Sequence, residues 1–146
     1  MVEIEITRLD ERAVLPAYQS EHAAGMDLSA CLPDGAVTLG AGEIALIGCG
    51  FAVALPEGYE GQVRPRSGLA ARHGVTLVNG PGTIDSDYRG EVKAALINLG
   101  REPFTVEHGM RVAQLVVAPV VRAAVVERKT LAATVRGEGG FGSTGV

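Results

Sequence analysis

Through most of this chain apolar residues recur at every second position, and that period constrains the fold more than any other feature. In "VEIEIT", Val2, Ile4 and Ile6 alternate with Glu3, Glu5 and Thr7. That spacing puts the two sets on opposite sides of an extended strand, not along one face of a helix. Comparable runs predict strands over Met26–Leu32, Glu43–Cys49, Phe51–Leu55, Tyr59–Arg64, Val75–Val78, Glu91–Asn98, Arg111–Ala118 and Val120–Glu127. Turn signals separate them: "PDG" at Pro33–Gly35, "PEG" at Pro56–Gly58, "NGPG" at Asn79–Gly82 and "LGRE" at Leu99–Glu102. Many short strands punctuated this way predict an all-β sandwich or barrel. One short helix is expected over Ser67–His73, with Ser67 as its N-cap.

A chain of 146 residues suits one domain with a real core. With 47% hydrophobic residues but only 4% aromatic, that core must be aliphatic. The net charge of −4 argues against general binding to nucleic acid or to an anionic membrane, so a polyphosphate ligand would need a local basic cluster. The start, "MVEIEITRLDE", has no basic region followed by an apolar one, and no apolar run reaches membrane-spanning length, so neither a signal peptide nor a membrane span is expected. Cys31 and Cys49 lie in apolar surroundings without a C-x-x-C pattern, which predicts buried reduced thiols and a cytoplasmic protein. His22, His73 and His108 lack ligand spacing, so zinc is not expected.

From about Arg128 the alternation stops, and five of the last ten residues are glycine. Such a composition cannot bury enough apolar surface to hold itself in place. The expected division is a β-rich domain over 1–127 and a flexible arm over 128–146. The arm ends in "RGEGGFGSTG", whose glycines imitate both the dinucleotide spacing and a Walker A loop. Those motifs work through a following helix, and there is no room for one here. A guanidinium (Arg136), a ring (Phe141) and two hydroxyls (Ser143, Thr144) instead suit a lid that orders over a ligand, against the plainer alternative of a frayed terminus.

Four other segments break the strand pattern. "RPRSGLA" brings Arg66, Ser67 and Gly68 to the start of the short helix, a combination suited to phosphate oxygens or, more plainly, to a helix cap. "NGPGTIDSDYRGEV" (Asn79–Val92) reads as a hairpin or loop carrying Asn79, Asp85, Asp87, Tyr88, Arg89 and Glu91. A carboxylate there could activate a water, typically worth ~10²–10⁴ in rate, or could simply serve a turn. "RVAQLVV" embeds Gln114 and "AGMDLSA" embeds Asp27 among apolar neighbours, where a polar side chain needs a partner.

Together "AGMDLSA", "RPRSGLA", "GTIDSDYRGEV", "RVAQLVV" and "RGEGGFGSTG" resemble, in order, the five motifs of the trimeric deoxyuridine triphosphatase (dUTP diphosphatase) family, and they span Ala24 to Gly145. One departure is Met110, where many members carry an acidic residue. The resemblance implies a jelly-roll-like (β-clip) subunit with one short helix and a C-terminal arm. It further implies a homotrimer with active sites shared between subunits. The reaction implied is dUTP plus water to dUMP plus pyrophosphate, which keeps uracil out of DNA and supplies dUMP for thymidylate synthesis. Mg2+ would be bound chiefly through the phosphates, with Asp27 touching it through water. Asp85 would activate the attacking water. Asn79, with main-chain groups around Thr83, Ile84 and Lys93, would read uracil, and Tyr88 would pack under the deoxyribose. Arg66, Ser67, Gly68 and Gln114 would hold the phosphates. Arg136, Gly142, Ser143 and Thr144 would close on them, with Phe141 stacked over uracil. Two alternatives stand beside this one: a dCTP deaminase of the same fold, which would need its own glutamate motif, and a non-catalytic nucleotide-sensing or partner-binding module, expected to lose Asp85 or the arm.

Overall fold

The computed structural model describes residues 2–143. Ten strands and one helix follow in order: β1 Glu5–Arg8, β2 Met26–Ser29, β3 Val37–Leu39, β4 Ile44–Ala54, β5 Tyr59–Pro65, α1 Ser67–His73, β6 Val75–Leu77, β7 Gly82–Ile84, β8 Glu91–Asn98, β9 Phe104–Val106 and β10 Arg111–Pro119. They form two four-stranded sheets, ordered β1-β4-β8-β6 and β2-β10-β5-β7, and a β3-β9 ribbon. Every strand pairing is antiparallel. The fold is therefore all-β, as the period-two pattern predicts, and jelly-roll-like, as the family resemblance implies.

The inner residues of both sheets make one aliphatic core. Ile47, Phe51, Val92 and Leu96 from the first sheet meet Leu28, Val63 and Leu115 from the second. Along β8 the alternation is strict: Val92, Ala94, Leu96 and Asn98 are buried, while the residues between them are not. A one-residue slip would expose that whole set, which is why the register is firmly specified.

Two strands expected on either side of Gly50 are one strand, β4. Gly50 sits in the left-handed region at φ 72°, and the pairing with β8 shifts register between Gly48 and Ala52. The strand passes through this bulge because glycine takes a positive φ without steric cost. The neighbouring thiols Cys31 and Cys49 are buried and unpaired, as expected. Burial, the main cause, pushes the Cys49 thiol up to about 12, so it is neutral and inert near neutral pH.

Other expectations require correction. Val120–Glu127 is not a strand: β10 ends at Pro119, and Val121, Val125 and Val126 stand exposed. The sequence there has strand periodicity, but within one chain no neighbouring strand supplies the ladder it needs. Ser67 is not the N-cap of α1; Arg66 holds that position with extended backbone and no side-chain cap bond. The Asn79–Val92 segment is not a simple hairpin tip, because it contains β7, which crosses to the second sheet and pairs with β5. The three-residue strands β3, β7 and β9 lie outside the runs expected from the sequence, whereas β6, equally short, falls within the expected Val75–Val78.

Asn98 is the fully buried polar side chain of the core. Its Nδ2 donates to the carbonyls of Leu39 at 3.0 Å and Glu102 at 2.8 Å, and its Oδ1 accepts from the Gly100 N–H at 2.9 Å. The amide thus ties the end of β8 to β3 and to the loop before β9. Asn98→Asp replaces the donor with an oxygen facing two carbonyls. It should destabilise the fold by at least ~2 kcal/mol, read as a lowered urea midpoint at neutral pH; an unchanged midpoint would remove Asn98 from this role.

Candidate active site

The loop between β7 and β8 builds the first part of the site. A cavity of about 210 Å3 is lined by Asn79, Gly82, Thr83, Ile84, Tyr88, Glu91, Val92 and Lys93, with Leu46 and Val63 beside them. It gathers Asn79, Thr83, Ile84, Tyr88 and Lys93, five of the residues expected to surround the nucleoside, but not Phe141 of the arm. β7 and the start of β8 form its walls, and their pairing with β5 and β4 fixes their separation.

Tyr88 is held at the cavity by its own chain. Its hydroxyl donates to the Glu91 carbonyl at 3.0 Å, and its N–H donates to the Asp85 carbonyl at 3.1 Å. The ring lies against Gly90, where any Cβ would overlap the phenol. A side chain at 90 would therefore have to push the Tyr88 ring out of this position.

Asp85 directly follows β7 and is exposed. It lines an adjoining open cleft of about 920 Å3 together with Tyr59, Glu60, Ser86, Asp87, Arg89 and Arg122. Along β7 Ile84 is buried while Thr83 and the following Asp85 are exposed. Arg89 is occupied locally, donating to the carbonyls of Ser86 and Tyr88.

The second part lies where β2, β5 and β10 meet α1. Asp27 accepts from Arg66 Nε at 3.2 Å and from Arg111 Nη1 at 2.9 Å. Arg66 Nη1 also donates to the Arg111 carbonyl at 3.2 Å, while its Nη2 makes no hydrogen bond among the described residues. Gln114 donates to the Pro65 carbonyl at 3.0 Å, so the default main-chain partner holds its amide. Ser67 and Gly68 open the uncapped helix, whose first N–H groups have no acceptors within it. Met110 packs partly against the core and its carbonyl accepts from Ala30, so an apolar residue suits this position.

At Asp27, for which a water-mediated metal contact is expected, both carboxylate oxygens are engaged by guanidiniums. Among the described residues no three His, Cys, Asp or Glu side chains come together as a metal cage.

The third part, the arm, is bonded only to itself where it carries the expected residues. Arg136 Nε donates to the Gly139 carbonyl at 2.7 Å, and Ser143 N–H donates to that of Gly140 at 3.0 Å. Phe141 is fully exposed, beside Gly142 at φ 84°. Thr144 lies outside the described residues. Neither the cavity nor the cleft is lined by Arg66, Ser67, Gly68, Gln114, Asp27 or any described arm residue, so among the described residues one chain carries the expected site in separate pieces. Glu91, within the Asn79–Val92 segment, has no role among those expected from the sequence. Its placement in the cavity wall has no short-range signal beyond strand alternation.

No helix among the described residues is long and apolar enough to cross a membrane. The dUTPase family profile matches residues 11–145. Deoxyuridine 5'-triphosphate nucleotidohydrolase of Rhizobium etli is 61% identical over 133 residues, 90% of this chain and 85% of that one. The protein of the same name from Desulfotalea psychrophila is 60% identical over 139 residues, 95% and 92% of the two chains. Among solved structures, Staphylococcus bacteriophage 80alpha dUTPase with dUPNHPP matches at a TM-score of 0.90 and 26% identity over 99% of both chains. Likeness this extensive, in sequence and in fold, leads to one conclusion: the chain belongs to the dUTPase family.

Proposed function

We propose that this protein hydrolyses dUTP to dUMP and pyrophosphate. The observation that carries the proposal is the small cavity in which Asn79, Thr83, Ile84, Tyr88 and Lys93 converge, with Asp85 at the end of the strand that forms its wall. A uracil base fits such a site because main-chain groups on β7 and β8 are fixed by their sheets. Fixed donors and acceptors reject a base whose edge would leave them unpaired. Tyr88, seated on Gly90, would pack against the sugar and leave no room for a 2′-hydroxyl.

In the proposed reaction Asp85 takes a proton from a water whose oxygen attacks the α-phosphorus. The bond from that phosphorus to the bridging oxygen breaks, and pyrophosphate leaves. Such transfers depend mainly on positioning and charge neutralisation. Arg66, Ser67, Gly68 and Gln114 would hold the phosphates, with Asp27 orienting the Arg66 guanidinium and leaving Nη2 to point at an oxygen. We place Mg2+ on the triphosphate, since the described side chains offer no cage of their own. There it would neutralise phosphate charge.

We further infer a homotrimer with shared sites. The separation of the nucleoside cavity, the Arg66 cluster and the arm on one chain supports it, as does the exposed apolar segment Val120–Val126. An extended apolar run without a partner is expected to pair with another copy. The arm would close over the bound triphosphate, excluding water and strengthening each Arg–phosphate contact. Supply of dUMP for thymidylate synthesis would follow from the product, and the two free thiols suit a reducing, cytoplasmic compartment.

A pyrophosphate-release assay with dUTP, dTTP, dCTP and UTP tests the substrate directly, and ammonia released from dCTP would favour a deaminase. Asp85→Asn should retain nucleotide binding while turnover falls by at least ~10²; near-normal turnover would exclude Asp85 as the base. Removing 128–146 should leave a folded assembly by size-exclusion chromatography with poor activity, whereas a fully active truncation would make the arm dispensable. Gly90→Ala should displace the Tyr88 ring and lower the dUTP-over-UTP preference by roughly tenfold, read as the ratio of kcat/KM values.

A further inference from the structure

Three local contacts converge on Glu91, which the proposed chemistry leaves without a role. It is the first residue of β8 and stands beside the register break with β4: Gly48 pairs with Lys93, then Ala52 with Glu91. In the gap, the Gly50 N–H turns to donate to Glu91 Oε1 at 2.9 Å. That acceptor replaces the ladder partner which the bulge removes. Glu91 Oε2 lies 3.4 Å from Lys93 Nζ. Its carbonyl accepts the Tyr88 hydroxyl at 3.0 Å.

The surroundings are shaped to admit this carboxylate. A Cβ on Gly48 would overlap Oε1 of Glu91, so glycine at 48 leaves the space the side chain fills. Glu91 is half-buried and lines the nucleoside cavity. It also lines a neighbouring hollow of about 580 Å3 bounded by Cys31, Asp34, Gly48 and Gly50. It therefore forms the partition behind the nucleoside, with a backbone clamp on one side and Lys93 and Tyr88 on the other.

We propose that Glu91 is a positioning residue for the nucleoside. By clamping the start of β8 to the Gly48–Gly50 bulge, it fixes Tyr88 and Lys93 relative to each other across the cavity. This deepens the dUTP reading and rests on it. The carboxylate does not touch reacting atoms, so its effect belongs in substrate fit and sugar discrimination, not in the hydrolytic step. Glutamine preserves both the length and an acceptor for Gly50 and loses only the charge opposite Lys93. Aspartate keeps the charge but is one methylene too short to span to Gly50.

The test compares E91A, E91Q and E91D with the wild-type full chain. Amide hydrogen exchange at Gly50 and over 88–93 reads the clamp, and steady-state kinetics with dUTP and UTP read its consequence. E91A should lose local protection at those amides, raise KM for dUTP about tenfold with kcat within about threefold, and narrow the dUTP–UTP gap. E91Q should recover the Gly50 protection and most of the KM, and E91D should not. Unchanged protection or KM in E91A would overturn the proposal, as would a fall in kcat at constant KM. Should E91A unfold globally, the remaining pair decides: equal KM values for E91Q and E91D would overturn it. Failure of the wild-type protein to release pyrophosphate from dUTP would reject the substrate instead, and the Gly50 exchange would still report on the clamp.

Discussion

The antiparallel pairing of β4 with β8 is the constraint on which both core and cavity depend. β8 runs between β4 and β6, so its backbone is held along both edges. Its inward residues, Val92, Ala94, Leu96 and Asn98, belong to the core. Its outward residues Glu91 and Lys93 line the nucleoside cavity. Because the side-chain period of a strand is two, the register that buries the first set also aims the second. Each end is pinned by a polar contact, the Asn98 amide at one and the Glu91–Gly50 bond at the other.

Charge is distributed by the same logic. The Asp27 carboxylate sits between Arg66 and Arg111, so a half-buried anion orders two cations where a polyanion is expected. Pairing lowers the cost of keeping an arginine oriented before substrate arrives. With a net charge of −4 the protein as a whole repels a triphosphate, and a preorganised local cluster has to overcome that repulsion.

Much of this was legible in the sequence. The longer strands stand where alternation predicts them, β8 to the residue, and α1 spans Ser67–His73 as expected. The nucleoside residues follow from the family resemblance, and Asn79, Thr83, Ile84, Tyr88 and Lys93 do lie around one cavity. Other features were not legible, each for a physical reason. Val120–Glu127 has the composition of a strand, yet hydrogen-bond pairing is a property of two segments, and one chain gives this segment no partner. β7 is hidden in a glycine-marked polar segment that reads as a hairpin or loop, and its pairing with β5 is decided across the sandwich. Asp27, an acidic residue in an apolar run, needs a partner, as the sequence shows, but that two arginines 39 and 84 positions away supply it is decided only by how β2, β5 and β10 pack.

The sequence by itself determined the all-β class, the aliphatic core and the kinds of side chain available for phosphate, base and water. Those follow from local period and composition, which act over a few residues. Only the tertiary structure decided that Gly50 continues a strand instead of ending one, that Glu91 fills the space left by Gly48, and that the expected site lies in three separate parts on one chain. Each of these is set by which segments pack together, and packing joins residues that no spacing along the chain relates.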